Sequence, residues 1–214
     1  MKRERSMNKG TLTVLSGFSG AGKGTLVKRL LEKYDSYVLS ISATTRAPRE
    51  GEQDGREYFF RTKEEFEQMI AEGALLEHAC YVGNYYGTPR AWVEEQMESG
   101  KDVILEIEIQ GAHNIKKQYP EALLLFVAPP NAKELVRRLV GRGTETEEVI
   151  RNRVLRAAEE AEGMEDYDYL LINDDLELCA DQMHQIIQTA HFRMSGSRAF
   201  AEKIQKELQE MKGE

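Results

Sequence analysis

The segment Thr11-Leu-Thr-Val-Leu-Ser-Gly-Phe-Ser-Gly-Ala-Gly-Lys-Gly-Thr25 decides how the chain is organised. Its first half is a short run of apolar and β-branched residues, which is typical of a buried strand. The glycines that follow let the backbone turn its N–H groups towards an anion, and Leu26, Leu30 and Leu31 then continue at helical spacing. A strand, a glycine-rich loop and a helix start together predict a phosphate-binding loop, in which Lys23 adds a charge for the terminal phosphates.

This loop predicts a site for ATP, and the alternative is a glycine-rich turn that only closes a strand–helix corner. In the strict pattern a hydroxyl residue follows the lysine directly, whereas here Gly24 comes between Lys23 and Thr25. That departure is typical of nucleoside monophosphate kinases, and it leaves open whether Thr25 ligates magnesium directly. The predicted ATP-binding residues of the loop are Gly17, Phe18, Ser19, Gly20, Ala21, Gly22, Lys23, Gly24 and Thr25.

Outward from this loop, apolar strand-like runs alternate with segments of helical periodicity. Strands are predicted at Tyr37–Ile41, Ala74–Val82, Asp102–Ile107, Leu123–Val127 and Tyr169–Ile172. Helices are predicted at Lys63–Glu72, Thr88–Gly100, Gln110–Gln118, Asn131–Val140 and Leu176–Phe192. A further long charged helix is predicted after the interruption Gly141–Thr144 and reaches about Gly163. Alternation of this kind favours a parallel sheet with helices on both faces and ligands at the carboxyl ends of its strands.

Two details of local structure are also predicted. Gly83–Gly87 is expected to be a turn, and Thr88-Pro89 to start the next helix, with the Thr88 hydroxyl as its N-cap. The polar stretch Ser42–Glu57 is expected to contain no packed element, and long polar stretches of this kind are usually functional or mobile. Its arginines Arg46 and Arg49 suit bidentate binding of phosphate, although a solvated charged loop is an equal alternative from this stretch alone.

Composition excludes several classes of protein. The formal net charge of −8 argues against non-specific binding of nucleic acid. Cys80 and Cys179 form no CxxC or Cys/His cluster, so neither a zinc site nor a disulfide framework is predicted. Residues Met1–Lys9 lack the apolar stretch of about 7–15 residues of a secretory signal, and no run reaches the ~18 apolar residues of a membrane span. We expect a soluble cytoplasmic protein. The sequence does not indicate whether it is a monomer or a homo-oligomer.

Several motifs together resemble the guanylate kinase family. The loop Ser42-Ala-Thr-Thr-Arg-Ala-Pro-Arg-Glu-Gly-Glu52 is similar to the family pattern S-x-T-T-R-x-P-R-x-G-E. Further matches follow in the family's order: Glu57-Tyr-Phe-Phe60, Gly83-Asn-Tyr-Tyr-Gly-Thr88, Glu106-Ile-Glu-Ile-Gln-Gly111, Gly141-Arg-Gly-Thr-Glu145 and Asn173-Asp-Asp175. The resemblance covers roughly residues 10 to 193. It implies an α/β, three-layer P-loop kinase fold with a parallel sheet, an inserted GMP-binding mixed α/β region and a small helical lid.

The resemblance also implies a domain layout and the roles of individual residues. Residues 1–9 are an extension and 194–214 a charged tail; the GMP-binding insertion covers about 43–90 and the lid about 141–160. The implied GMP-binding residues are Ser42, Arg46, Arg49, Glu52, Tyr58, Glu77, Tyr86, Thr88 and Glu108. Many relatives carry Asp at position 108. The implied catalytic residues are Lys23, Arg46, Arg138, Arg142 and Arg153, and Asn173 is placed near the adenine.

Chemistry supports a guanine acceptor independently. Guanine presents two adjacent N–H donors that one carboxylate can accept, whereas adenine offers an acceptor that would leave a buried carboxylate unpaired. Glu77 is the candidate, because Leu75, Leu76 and Ala79 surround it in sequence. From the strand alone, an outward-facing carboxylate is the preferred interpretation, and the family match reverses it.

The lid arginines have a plainer alternative, since each can pair with a glutamate at helical spacing. We favour that alternative for Arg137 and a phosphate-binding role for Arg138, Arg142 and Arg153. The activity implied is phosphoryl transfer from ATP to GMP with Mg²⁺, achieved by positioning and positive charge, without a dedicated general base. An AMP-specific kinase, a catalytically inactive binding module and an ATPase-type switch protein are the rival hypotheses.

Overall fold

The computed structural model describes residues 9–81, 83–141 and 147–212. Within these ranges the strands, in chain order, are β1 Leu12–Gly17, β2 Tyr37–Leu39, β3 Ala43–Thr44, β4 Phe59–Phe60, β5 Leu75–Tyr81, β6 Asn84–Pro89, β7 Asp102–Glu106, β8 Leu123–Ala128 and β9 Tyr169–Ile172. The α-helices are α1 Lys23–Lys33, α2 Lys63–Ala71, α3 Arg90–Glu98, α4 Ile109–Gln118, α5 Ala132–Val140, α6 Glu147–Glu162, α7 Leu176–Ala190 and α8 Arg198–Lys212.

Five strands form a parallel sheet in the order β2-β7-β1-β8-β9. Successive side chains of a strand point to opposite faces, so Val14 and Leu15 of β1 belong to different cores. Leu15 packs with apolar residues of α1 and α7, such as Leu26 and Met183. Val14 packs on the other face with α3 and α4, for example with Val93. The predicted three-layer α/β fold with helices on both faces of a parallel sheet is therefore confirmed.

A second, smaller sheet has the strand order β4-β3-β6-β5, and its strand pairs are mostly antiparallel. Its core is formed by Ala43, Phe66 and Leu75. Helix α2 covers it and begins with a capping box, in which Thr62 and Glu65 satisfy each other's backbone N–H groups. Along the chain, this sheet is inserted between β2 of the parallel sheet and α3.

The structure corrects three local predictions. Asn84–Pro89 is a strand paired antiparallel with Leu75–Tyr81, so the predicted turn at Gly83–Gly87 is mostly wrong. Helix α3 has Pro89 at its N-cap position without a side-chain cap, so Thr88 does not cap it. Within the polar stretch, Ala43–Thr44 forms a short buried strand, because it gains partners on β4 and β6 that local sequence does not reveal.

Helix α5 directly precedes the predicted lid, and helix α6 covers most of it. Asn131 caps α5 by accepting a hydrogen bond from the backbone N–H of Glu134. Leu135 and Leu139 of α5 pack with Ala157 of α6 in a small separate core. Of the predicted lid, Arg142 and Thr144 lie outside the described residues.

The amino-terminal edge of the parallel sheet holds a buried carboxylate. Asp102 is 2% exposed and accepts from the backbone N–H of Thr11 at 2.8 Å and from the side-chain amide of Gln188 at 3.2 Å. His191 Nε2 lies 2.8 Å from Asp102 Oδ1. Hydrogen bonds to Asp102 therefore join β1, β7 and the end of α7 at this edge. Among the described residues, no helix is long and apolar enough to span a membrane.

Candidate active site

The loop between β1 and α1 needs glycine at two of its positions. Gly17 has φ 149°, and a Cβ placed there would lie 2.2 Å from the carbonyl oxygen of Val127 on β8. Gly22 has φ 88°, and its Cβ would lie 2.7 Å from the amide nitrogen of Asn173. Because only glycine allows this backbone shape and approach, the loop remains open with α1 pointing its N-terminus into it.

Lys23 lies at the start of α1 and reaches back over the loop. Its Nζ donates to the carbonyl oxygens of Gly17 at 2.6 Å and Phe18 at 3.2 Å. Glu106, at the carboxyl end of β7, faces the same space, and desolvation raises the pKa of its carboxyl while the charge of Lys23 opposes the shift. Thr25 is exposed on the first turn of α1.

The end of β9 is tied to the same loop. The buried side chain of Asn173 donates through Nδ2 to the carbonyl oxygen of Ala21 at 2.8 Å. Arg138 of α5 donates through Nη2 to the carbonyl oxygen of Asn173 at 2.9 Å and through Nε to Glu134 at 2.7 Å. Arg137 also pairs with Glu134, but it is 74% exposed and points away. These two guanidinium groups lower the pKa of Glu134 to about 2.

Helix α6 closes the other side of the phosphate loop. Arg153 donates through Nη1 to the hydroxyl of Ser19 at 2.6 Å. Between α6 and the loop lies a cavity of about 570 Å³. Its charged lining consists of Lys23, Glu106, Glu108, Arg153, Arg156 and Glu160. A cavity with three cationic and three anionic side chains next to a phosphate loop suits a charged ligand.

The second predicted anion site lies on the small sheet. Arg46 Nη2 donates to both carboxylate oxygens of Glu52 at 2.9 Å, and Glu52 also accepts from the backbone N–H of Arg49 at 2.7 Å. The backbone bond from Arg49, together with Arg46, lowers the pKa of Glu52. The Arg46 guanidinium lies 5.2 Å from the ring of Tyr58, whose ring centroid is 6.0 Å from that of Tyr86. The structure therefore brings these five residues together.

Glu77 and Thr88 face each other across β5 and β6. The Thr88 hydroxyl, which is fully buried, donates to Glu77 Oε1 at 2.7 Å. Desolvation raises the pKa of Glu77, and the bond from Thr88 partly offsets it. A Cβ at Gly111 of α4 would lie 3.5 Å from Glu77 Oε2, so glycine leaves room beside this carboxylate. Ser42, partly buried, lies just before the β3 strand that pairs with β6.

Glu108 is held differently from Glu77. It sits at the N-cap position of α4 without capping that helix, and its side chain is 71% exposed. Its Oε1 lies 2.7 Å from Nη2 of Arg156 on α6. Desolvation is the main cause that raises the pKa of Glu77, and the charge of Glu108 adds to it.

Sequence reasoning missed Glu106, Arg156 and Glu160 as cavity residues. Glu106 could have been found, because it ends a predicted strand of the parallel sheet, where ligands are expected. Arg156 and Glu160 belong to a long charged helix, and nothing in their local pattern separates them from its solvated residues.

A glycine-rich loop between a parallel strand and a helix, with Lys23 across it and Arg138 of α5 and Arg153 of α6 bonded beside it, is typical of a P-loop kinase. The comparisons with known proteins give the family: a model described as "Guanylate kinase" matches residues 9–190, and the chain belongs to the guanylate kinase family. The resemblance found in the motifs is thereby confirmed, as is the class of nucleoside monophosphate kinases.

Relatives support the family over most of the chain. A protein named guanylate kinase from Streptococcus thermophilus (strain CNRZ 1066) is 51% identical over 187 residues, which cover 87% of this chain and 90% of the relative. A guanylate kinase from Bacillus cereus (strain ATCC 14579) is 54% identical over 186 residues, covering 86% and 91%. The crystal structure of guanylate kinase from Anaplasma phagocytophilum matches with a TM-score of 0.67 at 34% identity, covering 87% of this chain and 88% of that one.

Proposed function

We propose that the protein transfers the γ-phosphoryl group of ATP to GMP, forming ADP and GDP. The observation that carries this proposal is the presence of two polar sites in the region of the small sheet. The first is the group around Arg46, which suits a phosphate, and the second is the Glu77–Thr88 pair, which suits a base. A protein that only hydrolysed ATP would need neither. The P-loop kinase fold supplies the donor site beside them.

On the donor side, the backbone of Gly17–Thr25 and Lys23 bind the ATP phosphates. Asn173 fixes the loop through Ala21 and lies where the adenine approaches the end of β9. The carbonyl partners of Lys23, on Gly17 and Phe18, hold its ammonium group over the loop, where it can turn to the terminal phosphates.

On the acceptor side, Arg46, Arg49, Tyr58 and Tyr86 bind the GMP phosphate. Glu52 orients Arg46 rather than touching an anion itself, since its carboxylate already accepts from Arg46 and from the Arg49 backbone. This refines the expectation that it binds GMP directly.

The guanine base is recognised by Glu77, Thr88, Ser42 and Glu108. Glu77 can accept from the two neighbouring N–H donors of guanine, and the Thr88 hydroxyl fixes the orientation of its carboxylate. AMP is disfavoured because its ring nitrogen would face that desolvated carboxylate without a proton between them.

Transfer needs the acceptor oxygen in line with the γ-phosphate, and positive charge over the group in transit. Lys23, Arg46, Arg138 and Arg153 supply that charge from four different elements. Arg142 remains a predicted fifth contributor outside the described residues. The acceptor is already an anion, so no side chain is assigned as a general base.

Mg²⁺ fits the donor site through oxygen donors. The hydroxyl of Thr25, two residues after Lys23, and the carboxylate of Glu106, which lines the cavity together with Lys23, are hard oxygen ligands. Mg²⁺ prefers one or two such ligands plus substrate phosphates. Among the described residues, no group of three or more His, Cys, Asp and Glu side chains forms a metal cage. When bound, the ion neutralises phosphate charge.

We place the reaction in the cytoplasm, where ATP is plentiful and thiols stay reduced. Both Cys80 and Cys179 are free, which suits that compartment.

A coupled assay of ADP formation with GMP and with AMP as acceptors tests the proposal. We expect turnover with GMP to exceed turnover with AMP by orders of magnitude. Equal or faster turnover with AMP would overturn the guanine assignment, and absence of turnover with either would support the inactive binding module instead.

A further inference from the structure

Arg156 bridges the lid helix and the core. It lies on α6, lines the cavity above the phosphate loop, and reaches Glu108 Oε1 with its Nη2 at 2.7 Å. Glu108 belongs to the core, at the start of α4. Helix α6 thus makes these two polar contacts: Arg153 with Ser19 and Arg156 with Glu108. The first ends on the phosphate loop, and the second ends on a predicted GMP-binding residue.

The guanidinium of Arg156 is oriented for this contact by its own helix. Its Nε lies 3.2 Å from Oε1 of Glu160, one helical turn further on. Glu160 is held in a partly desolvated position, which raises the pKa of its carboxyl. Within the described residues its Oε2 is buried without a hydrogen-bond partner, so its Oε1 has Arg156 as the contact that compensates for burial. Holding Nε on Glu160 turns Nη2 outwards to Glu108.

Glu108 is free to serve two donors at once. A carboxylate offers about four lone-pair positions on two oxygens, so it can accept from Arg156 and from a base N–H together. It does not use its position to cap α4, although a helix N-terminus favours a carboxylate there. The coulombic influence of Glu108 raises the pKa of Arg156, in accord with a favourable ion pair.

We infer that Arg156 is a positioning residue for GMP recognition, which aligns the Glu108 carboxylate for the guanine base and so couples occupancy of the base pocket to the approach of the lid helix. This rests on the proposed function, since it assumes that Glu108 faces the acceptor base. Arg156 acts through Glu108 and touches neither phosphate group. The longer glutamate at position 108 is what lets the carboxylate reach α6.

Steady-state kinetics of Arg156→Gln, with Arg151→Gln as the matched control, test the inference. Arg151 lies on the same helix, is exposed and does not line the cavity. Its substitution by Gln changes the net charge by the same amount as Arg156→Gln. We expect Arg156→Gln to raise the KM for GMP about two- to fivefold, the range that an exposed ion pair supports, with the KM for ATP unchanged. Arg156→Lys should restore part of the loss, and Arg156→Glu should exceed it.

A double-mutant cycle separates positioning from a general structural role. If Arg156 acts through Glu108, Arg156→Gln should have no further effect on the KM for GMP in a Glu108→Gln background. Additive effects, an unchanged KM for GMP, or a raised KM for ATP in Arg156→Gln would overturn the inference. No GMP turnover by the unmodified protein would overturn the proposed function and this inference together, whereas the other outcomes overturn only this one.

Discussion

The guanidinium of Arg153 and the hydroxyl of Ser19 are 2.6 Å apart, so helix α6 is bonded to the phosphate loop itself. We propose that this contact lets α6 respond directly to the ligand that fills the loop. Since water competes with GMP as acceptor, closure of α6 over the cavity would protect the phosphoryl group during transfer.

Lys23→Ala should lower kcat by about 10²- to 10³-fold, because it removes a preorganised positive donor from the transferring phosphate. The fold should survive, since the hydrogen bonds from Lys23 to the carbonyl oxygens of Gly17 and Phe18 lie within one loop and join no two elements of the core. Lys28→Ala is the control and should leave kcat unchanged, because the Lys28 side chain on the same helix is 78% exposed. Near-normal turnover of Lys23→Ala with intact circular dichroism would contradict the role assigned to it.

Glu77→Gln should raise the KM for GMP about 10- to 100-fold. The glutamine has a single acceptor oxygen, so one of the two guanine N–H donors would face the amide NH₂ group and lose its hydrogen bond in a desolvated site. The KM for ATP should change little, because Glu77 belongs to β5 of the small sheet, whereas the phosphate loop follows β1 of the parallel sheet. Glu72→Gln, an exposed change of the same kind, serves as the control. Equal effects on both substrates would place Glu77 outside the base pocket.

The KM for GMP should also rise as the pH is lowered from neutral to about pH 5. Desolvation holds the pKa of Glu77 above its ordinary value, so its carboxyl takes up a proton at a higher pH than a solvated glutamate does. The protonated group loses acceptor capacity for the two guanine donors, which weakens binding on the acid side. In Glu77→Gln that part of the pH dependence should vanish; a profile identical to that of the unmodified protein would assign the titration to another group.

Arg138→Ala and Arg137→Ala form a matched pair on α5. Arg138 is bonded to the carbonyl oxygen of Asn173 and faces the loop, whereas Arg137 is largely solvated. We expect kcat to fall about 100-fold for Arg138→Ala and to stay within about twofold for Arg137→Ala. Thermal denaturation of both variants checks that the difference is not one of folding. Similar kinetics for the two would return Arg138 to a purely structural role.

Gly22→Ala should impair ATP binding, and Gly73→Ala should not. Both glycines have positive φ, 88° and 66°, so alanine costs about 1–2 kcal/mol of backbone strain at either position. At Gly73 nothing lies within 4 Å of the added Cβ, whereas at Gly22 the amide of Asn173 is 2.7 Å away. The measurement is the KM for ATP beside the free energy of unfolding; an unchanged KM in Gly22→Ala would show that the loop tolerates the shift.

The sequence identified the elements whose signals are local. The runs Leu123–Val127 and Tyr169–Ile172 are buried or edge strands of the parallel sheet, within one residue of their predicted bounds. Glycines and a lysine at fixed spacing predicted the loop, because the geometry of phosphate binding dictates those residue types.

Features that depend on distant partners could not be predicted. Ala43–Thr44 is a strand because β4 pairs with it on one side and β6, more than 40 residues away, on the other. Thr88 does not cap a helix, because the pairing of β5 with β6 places its hydroxyl against Glu77. The role inferred for Arg156 likewise depends on the folded position of α6, which brings it to Glu108 of α4. Long-range pairing carries no period in the local sequence.

Asp102 and Glu106 are the two ends of a single strand, about 13 Å apart at ~3.3 Å per residue. Asp102 contacts His191 and Gln188 at the end of α7, whereas Glu106 lines the cavity beside the phosphate loop. Free-energy changes at sites more than ~7–10 Å apart with no shared partners usually add. Substitutions that raise thermal stability at the Asp102 end should therefore be additive with substitutions that change nucleotide specificity at the Glu106 end. The two properties of this enzyme can be engineered separately.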